Sequence, residues 1–131
     1  YCRLESLINS NYGKLNIELG KMFLADHFDV STNREGPSSN TVCGHIELDP
    51  RGWPEWSAGP YYPFGTTDGK VADSEMISRG QQWAHWGKPC GDSFLAKTYF
   101  SKHKEYIWQE KYLKDIVAYP WTLLSADPLW K

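Results

Sequence analysis

Apolar residues recur along the start of the chain at the spacing of a helix face. Leu4, Leu7 and Ile8 stand at i, i+3 and i+4, which predicts a helix over residues 3–10. Asn11-Tyr12-Gly13 reads as its stop, with Gly13 supplying the left-handed cap. Asn16 is placed to cap a second helix. Its buried stripe would be Ile17, Gly20, Phe23, Leu24 and Phe28, and it should end near His27-Phe28. Residues 29–41 are polar and rich in turn formers, so a surface loop is expected. The period then changes. Val42, Gly44, Ile46 and Leu48 alternate with Cys43, His45 and Glu47, predicting a strand over 42–48. Asp49-Pro50-Arg51-Gly52 follows as a turn.

Residues 53–67 hold Trp53, Trp56, Tyr61, Tyr62, Phe64 and three prolines. Proline at that density opposes regular structure. So many rings cannot all remain wet, so the loop is expected to fold down onto the body. Residues 68–72 read as a short strand. Ser74 is a good cap for a helix over about 75–86 carrying Met76, Ile77, Trp83 and Trp86. Gly87-Lys88-Pro89-Cys90-Gly91 ends it. Asp92 or Ser93 would cap a helix through about His103, and another is expected over about 104–116. Tyr119-Pro120-Trp121-Thr122-Leu123-Leu124 reads as extended or irregular. Five helices against two or three short strands give an α+β class with helix in excess.

Composition narrows the function classes. The chain has 131 residues, enough for one domain. It is 40% hydrophobic and 23% charged, a globular balance. Net charge is −2 and the pI is about 6.1, which argues against a nucleic-acid binder working through a broad basic face. No apolar run approaches the ~20 residues of a membrane helix. The chain opens at Tyr1-Cys2-Arg3-Leu4, already inside a helix pattern, so it is expected to be the C-terminal piece of a longer protein. Three cysteines exclude a fully paired internal disulfide framework. No Asn-x-Ser/Thr sequon occurs, so glycosylation gives no support for secretion.

Several constellations could carry chemistry. Cys43, His45, His85 and Cys90 offer two thiols and two imidazoles, in principle a tetrahedral zinc set. The 85-to-90 spacing matches no standard ligand pair, however, and buried structural residues are the plainer reading, so no metal is assigned. Cys43, His45 and Asp68 can be drawn as a thiol–imidazole–carboxylate triad, yet neighbours at i and i+2 on a strand point side by side. Trp53, Trp56, Tyr61 and Tyr62 could stack on an apolar ligand or a sugar, although loop aromatics more often close the fold. Asp68 and Asp73 flank Lys70, where a turn cap and a surface ion pair are the ordinary outcome. Asp26-His27-Phe28-Asp29 at a helix end reads as terminal hydrogen bonding.

Cys43-Gly44-His45 through Leu48-Asp49-Pro50, followed by Gly65-x-x-Asp68-Gly69-Lys70-Val71 leading into a helix, resembles the C-terminal portion of the phospholipase B-like proteins. It is similar also to the linear amide hydrolases related to penicillin acyltransferase. In that group a helix pair ending in an Asp-His element precedes a Cys-x-His or Cys-Arg strand; here these are Asp26-His27 and Cys43-Gly44-His45. The resemblance covers residues 3–87, with Trp108-Gln109 and Pro120-Trp121 as weaker echoes. It implies an αββα N-terminal-nucleophile hydrolase that cuts itself to expose a cysteine, whose thiol attacks an amide or ester with the free α-amine as base. The implied setting is lysosomal or secreted.

Cys2 follows Tyr1 and precedes helix pattern, while Cys43 and Cys90 are interior and carry no free α-amine. No catalytic residue is therefore assigned. The nucleophile is expected on an upstream part of the same protein or a second processed chain. This chain would supply scaffold and pocket wall for a small amide or lipid-like substrate, with Trp53, Trp56, Tyr61, Tyr62 and Asp68 as the substrate-binding candidates. No cofactor is expected. The alternative is a non-catalytic, aromatic-rich binding module with a glycan as ligand.

Overall fold

The computed structural model describes residues 2–36, 41–44, 68–111 and 113–126. Helix α1 (Cys2–Ser10) and helix α2 (Ile17–Leu24) open the chain. Asn16 caps α2 as the sequence predicts: its side-chain oxygen accepts the Leu19 backbone N–H at 2.9 Å. The helix stops at Leu24, short of the expected His27-Phe28. The Arg3 guanidinium holds the Asp26 carboxylate through two bonds of 2.9 and 2.7 Å, tying α1 to the segment that leaves α2.

The expected loop over 29–41 contains a small hairpin, β1 (Phe28–Asp29) paired antiparallel with β2 (Arg34–Glu35). The Asp29 carboxylate accepts the Ser31 backbone N–H at 2.8 Å, a local turn that competes with open coil. The strand expected over 42–48 is not formed across the part that is described. Instead Thr41 Oγ1 accepts the Gly44 N–H at 3.0 Å and curls residues 41–44 into a turn. Residues 45–48 lie outside the described residues.

A three-stranded antiparallel sheet follows, in the order β3-β4-β5: β3 (Asp68–Val71), β4 (Gln81–Trp86) and β5 (Thr122–Ser125). The short helix α3 (Ser74–Ser78) joins β3 to β4. Here the sequence reading needs correcting twice. The α3 cap is Asp73, whose carboxylate accepts the Met76 N–H at 2.8 Å, and Ser74 is the first helical residue. The helix expected to run to 86 ends at Ser78, and the remaining residues form the central strand. Gly80, at φ 65, turns the chain out of the helix. Gln81–Trp86 then gains ladder hydrogen bonds on both sides, with Val71, Trp83 and Leu123 in register across the sheet. Its two tryptophans also suit a pleated surface better than a helix.

Helix α2 lies over β3. A Cβ on Gly20 would stand 2.7 Å from Val71 Cγ1, and one on Gly69 would stand 3.2 Å from Leu24 Cδ1. The helix therefore sits on the strand with only hydrogen at both crossing points. Lys21 extends over the Trp83 ring at 3.8 Å from its centroid, a cation–π contact on the same face.

The remainder packs as an aromatic knot. Helix α4 (Ala96–Lys102) and a 3-10 helix (Lys104–Gln109) bring Phe94, Phe100 and Leu113 together, flanked by Tyr99, Tyr106 and Ile116. Helix α4 begins later than expected. Ser93 is engaged elsewhere, its hydroxyl accepting the Ala118 N–H at 2.9 Å. The first turn is capped from a distance, by the Asp115 carboxylate on the Ala96 N–H at 2.8 Å. The long helix expected over 104–116 is a 3-10 helix that ends at Gln109. Beyond it the chain turns back so that Phe94 and Ile116 exchange backbone bonds of 2.8 and 2.7 Å. Tertiary pairing here overrides a helical spacing. The result is an α+β chain of helices and antiparallel sheets. Among the described residues no helix is long and apolar enough to cross a membrane.

Candidate functional site

Three segments meet beside the end of α2: the Asp26-His27 exit, the 41–44 turn and the 87–91 turn after β4. They bring His27, Cys43 and Cys90 together, with the imidazole nitrogen and both sulfurs within 4.8 Å of one another. Backbone bonds fix each segment. The Cys43 N–H donates to the Asp26 carbonyl at 3.1 Å, next to His27. The Gly36 N–H donates to the His27 carbonyl at 3.1 Å. The Gly91 N–H donates to the Lys88 carbonyl at 2.8 Å and closes the turn that carries Cys90. Cys43 is fully buried, while His27 and Cys90 are half-buried on the outer side.

Burial pushes the Cys43 thiol up to about 12; a hydrogen bond from the Cys90 backbone opposes this, and the Cys90 side chain beside it adds to it. The nearby Lys88 ammonium, itself buried, favours the thiolate. The two thiols are close but not joined by a disulfide. Unaided, Cys43 is a protonated, inert thiol. What the trio offers chemically is a nitrogen-and-sulfur donor set.

Asp26 belongs to the framework of this corner. Arg3, bonded to both its oxygens, holds its carboxyl below the usual range, with the Phe28 N–H adding a weaker bond at 3.2 Å. Arg3 also lies over the Phe28 ring, 4.6 Å from its centroid. The Phe28 bond is the terminal hydrogen bonding read from the sequence, whereas the pair with Arg3 on α1 and the place of His27 beside the thiols are not.

The zinc set drawn from the sequence is brought together only in part. Cys43 and Cys90 meet. His85 is not in their group: it stands next to the last residue of β4, opposite Gly69, with its ring 5.1 Å from that of Trp121. His85 Nδ1 is buried with no hydrogen-bond partner among the described residues. His27 stands with the two thiols instead. Nothing in its spacing announced this; the only signal was that the Asp-His element and both cysteines fall at element ends. His45 lies outside the described residues, as do Trp53, Trp56, Tyr61 and Tyr62.

Asp68 is described, and its position is informative. The face of the sheet under α2 carries Gly69, Val71, Trp83 and His85. The opposite face carries Asp68, Lys70, Ala84 and Trp86. Asp68 and Lys70 form an ion pair there with both side chains more than half exposed, and Trp86 is 49% exposed. No family model, no curated protein and no solved structure matches this chain.

Proposed function

We propose that this chain is the C-terminal, pocket-forming part of a phospholipase B-like or linear-amide N-terminal-nucleophile hydrolase, whose cysteine nucleophile lies outside these residues. The observation that carries the reading is the open sheet. Strands β3 and β5 each pair on one side only among the described residues. One face is covered by α2, and the other presents Asp68, Lys70 and Trp86 to solvent. A sheet with a helix on one face and, among the described residues, exposed Asp68, Lys70 and Trp86 on the other would suit one half of an αββα sandwich. A second sheet laid over that face would enclose Asp68 and Lys70, where a carboxylate and an ammonium can orient a polar substrate. Exposed strand edges and apolar side chains such as Met22, Ile77 and Leu123 also suit a body completed by further chain.

The test has two parts. The 131-residue chain by itself should hydrolyse neither linear amides nor esters, and should associate in solution. Supplied with an upstream segment that begins at a processed cysteine, it should become monodisperse and gain hydrolysis that a thiol-alkylating reagent abolishes. Turnover by the isolated chain would overturn the reading, and so would a monomeric chain with a single cooperative melt.

A further inference from the structure

We propose that His27, Cys43 and Cys90 bind one zinc ion, which ties the end of α2 to the two turns that carry the cysteines. The site is independent of the hydrolase reading and is not part of the open sheet face. Zinc takes tetrahedral nitrogen and sulfur ligands with bonds of about 2.3 Å to sulfur and about 2.0 Å to nitrogen. Donor atoms around one ion then stand roughly 3.5–3.8 Å apart. The three donors here lie within 4.8 Å of one another, so about an ångström of closure completes the trio.

The chemistry of the set favours this ion over the alternatives. Two thiolates and an imidazole are soft and borderline donors, which suit zinc and exclude calcium or magnesium. On binding, Cys43 and Cys90 each release a thiol proton to solvent, and the two sulfur charges neutralise the dication. The Cys90 backbone N–H already donates to the Cys43 sulfur, an outer bond that a metal thiolate retains. A Cys43–Cys90 disulfide would use the same sulfurs and would not engage His27, which stands within 4.8 Å of both.

The three ligands also account for the arrangement of the corner. They come from three separate segments, and an ion joining them would cross-link those segments directly. His85 is the control: it is buried nearby in sequence to Cys90 and carries an unpartnered nitrogen, but it stands against Trp121 and outside the trio.

The experiment uses purified protein carrying the entire chain, reduced, loaded with zinc and desalted, with zinc measured by plasma mass spectrometry. One zinc per chain is expected. Cobalt substituted for zinc should give the thiolate charge-transfer band and the intense visible bands of a tetrahedral site. Cys43→Ser and Cys90→Ser should each lose that band, and His27→Gln should weaken cobalt binding by more than the roughly 10–100-fold that loss of an outer partner costs. His85→Gln should leave stoichiometry and spectrum unchanged. Variants that fail to fold are bypassed by a measurement on the unaltered chain: zinc should protect half-buried Cys90 from alkylation, a chelator should restore its reactivity, and exposed Cys2 should react throughout. Substoichiometric zinc, a cobalt spectrum indifferent to Cys90→Ser, or an untreated chain about two mass units light from a Cys43–Cys90 disulfide would each overturn the proposal.

Discussion

Around Phe94 and Phe100 the chain buries rings against rings; around β3 it lays a helix on a glycine and, among the described residues, presents exposed Asp68, Lys70 and Trp86 on the far face. Phe100 is 0% exposed and meets Phe94 and Tyr99 edge-on, with centroids 6.3 and 5.6 Å away. Edge-to-face contacts of this kind add to area burial. The sheet has no such centre. Its contacts to α2 run through Gly20, Gly69 and the Lys21–Trp83 pair, and on the other side Asp68, Lys70 and Trp86 are exposed while Ala84 is buried. The difference separates two kinds of residue. In the knot, side chains are chosen for shape. On the sheet and in the thiol corner, they are chosen for charge and donor type, and apolar burial is thin.

The contrast breaks most sharply at Phe100. Phe100→Ala should destabilise the chain by about 3–5 kcal/mol, the usual loss for a fully buried ring. Amide exchange locates the damage. Phe94 and Ile116, which exchange two backbone bonds, should lose protection, while the β3–β4 ladder keeps more of its own. Equal loss in both places would mean that the knot and the sheet form one cooperative unit and that the comparison is false.

Gly87 lies on the seam between the two regions. It follows β4 at φ 87, and a Cβ there would stand 2.6 Å from both Ala118 Cα and the Val117 carbonyl oxygen. Gly87→Ala carries a left-handed backbone cost of about 1–2 kcal/mol and forces the returning chain outward at a further cost of about 1–3 kcal/mol. A total loss of about 2–5 kcal/mol is expected in denaturant melts, with the 116–119 segment separating from Trp86. A neutral effect would show that this seam yields easily.

What the sequence disclosed follows the same division. The first two helices, the Asn16 cap and the strand at 68–71 were legible because local spacing and capping decide them. Strand β4 was misread as helix because Met76, Ile77, Trp83 and Trp86 fit a helical stripe, and only the left-handed Gly80 and pairing to distant β5 decide otherwise. The cap on α4 comes from Asp115, which no local rule would name. The site was half legible. Cys43 and Cys90 were visible as donors, but that His27 meets them while His85 packs on Trp121 is a property of the assembled fold.

Gln109 is the flaw in the knot. It is 1% exposed, and neither atom of its amide has a partner among the described residues. An unpaired buried amide costs about 1–3 kcal/mol, and an apolar group of similar size removes that cost. Gln109→Leu should therefore raise stability by about 1 kcal/mol, measured as a higher denaturation midpoint at unchanged slope. A loss of stability would show that the amide is satisfied in solution. The knot would then be less purely apolar than the comparison holds.

Asp68 gives the smallest effect on folding and the most direct test of the open face. Its ion pair with Lys70 is more than half exposed on both sides, and such pairs contribute about 0–1 kcal/mol. Asp68→Asn should leave the melt nearly unchanged, since the amide keeps the shape and the charge was screened by water. If the uncovered face is a pocket wall, the same change acts on substrate in the complete protein. Losing one charged hydrogen bond there, at about 1.5–3 kcal/mol, corresponds to roughly 10–100-fold in kcat/KM. Lys70→Ala distinguishes a direct contact from a general field effect. If Asp68 itself holds the substrate, removing its ammonium neighbour should change KM less than Asp68→Asn does. A marked drop in stability with unaltered turnover would place Asp68 among the structural residues, and the sheet would then have no chemically committed face.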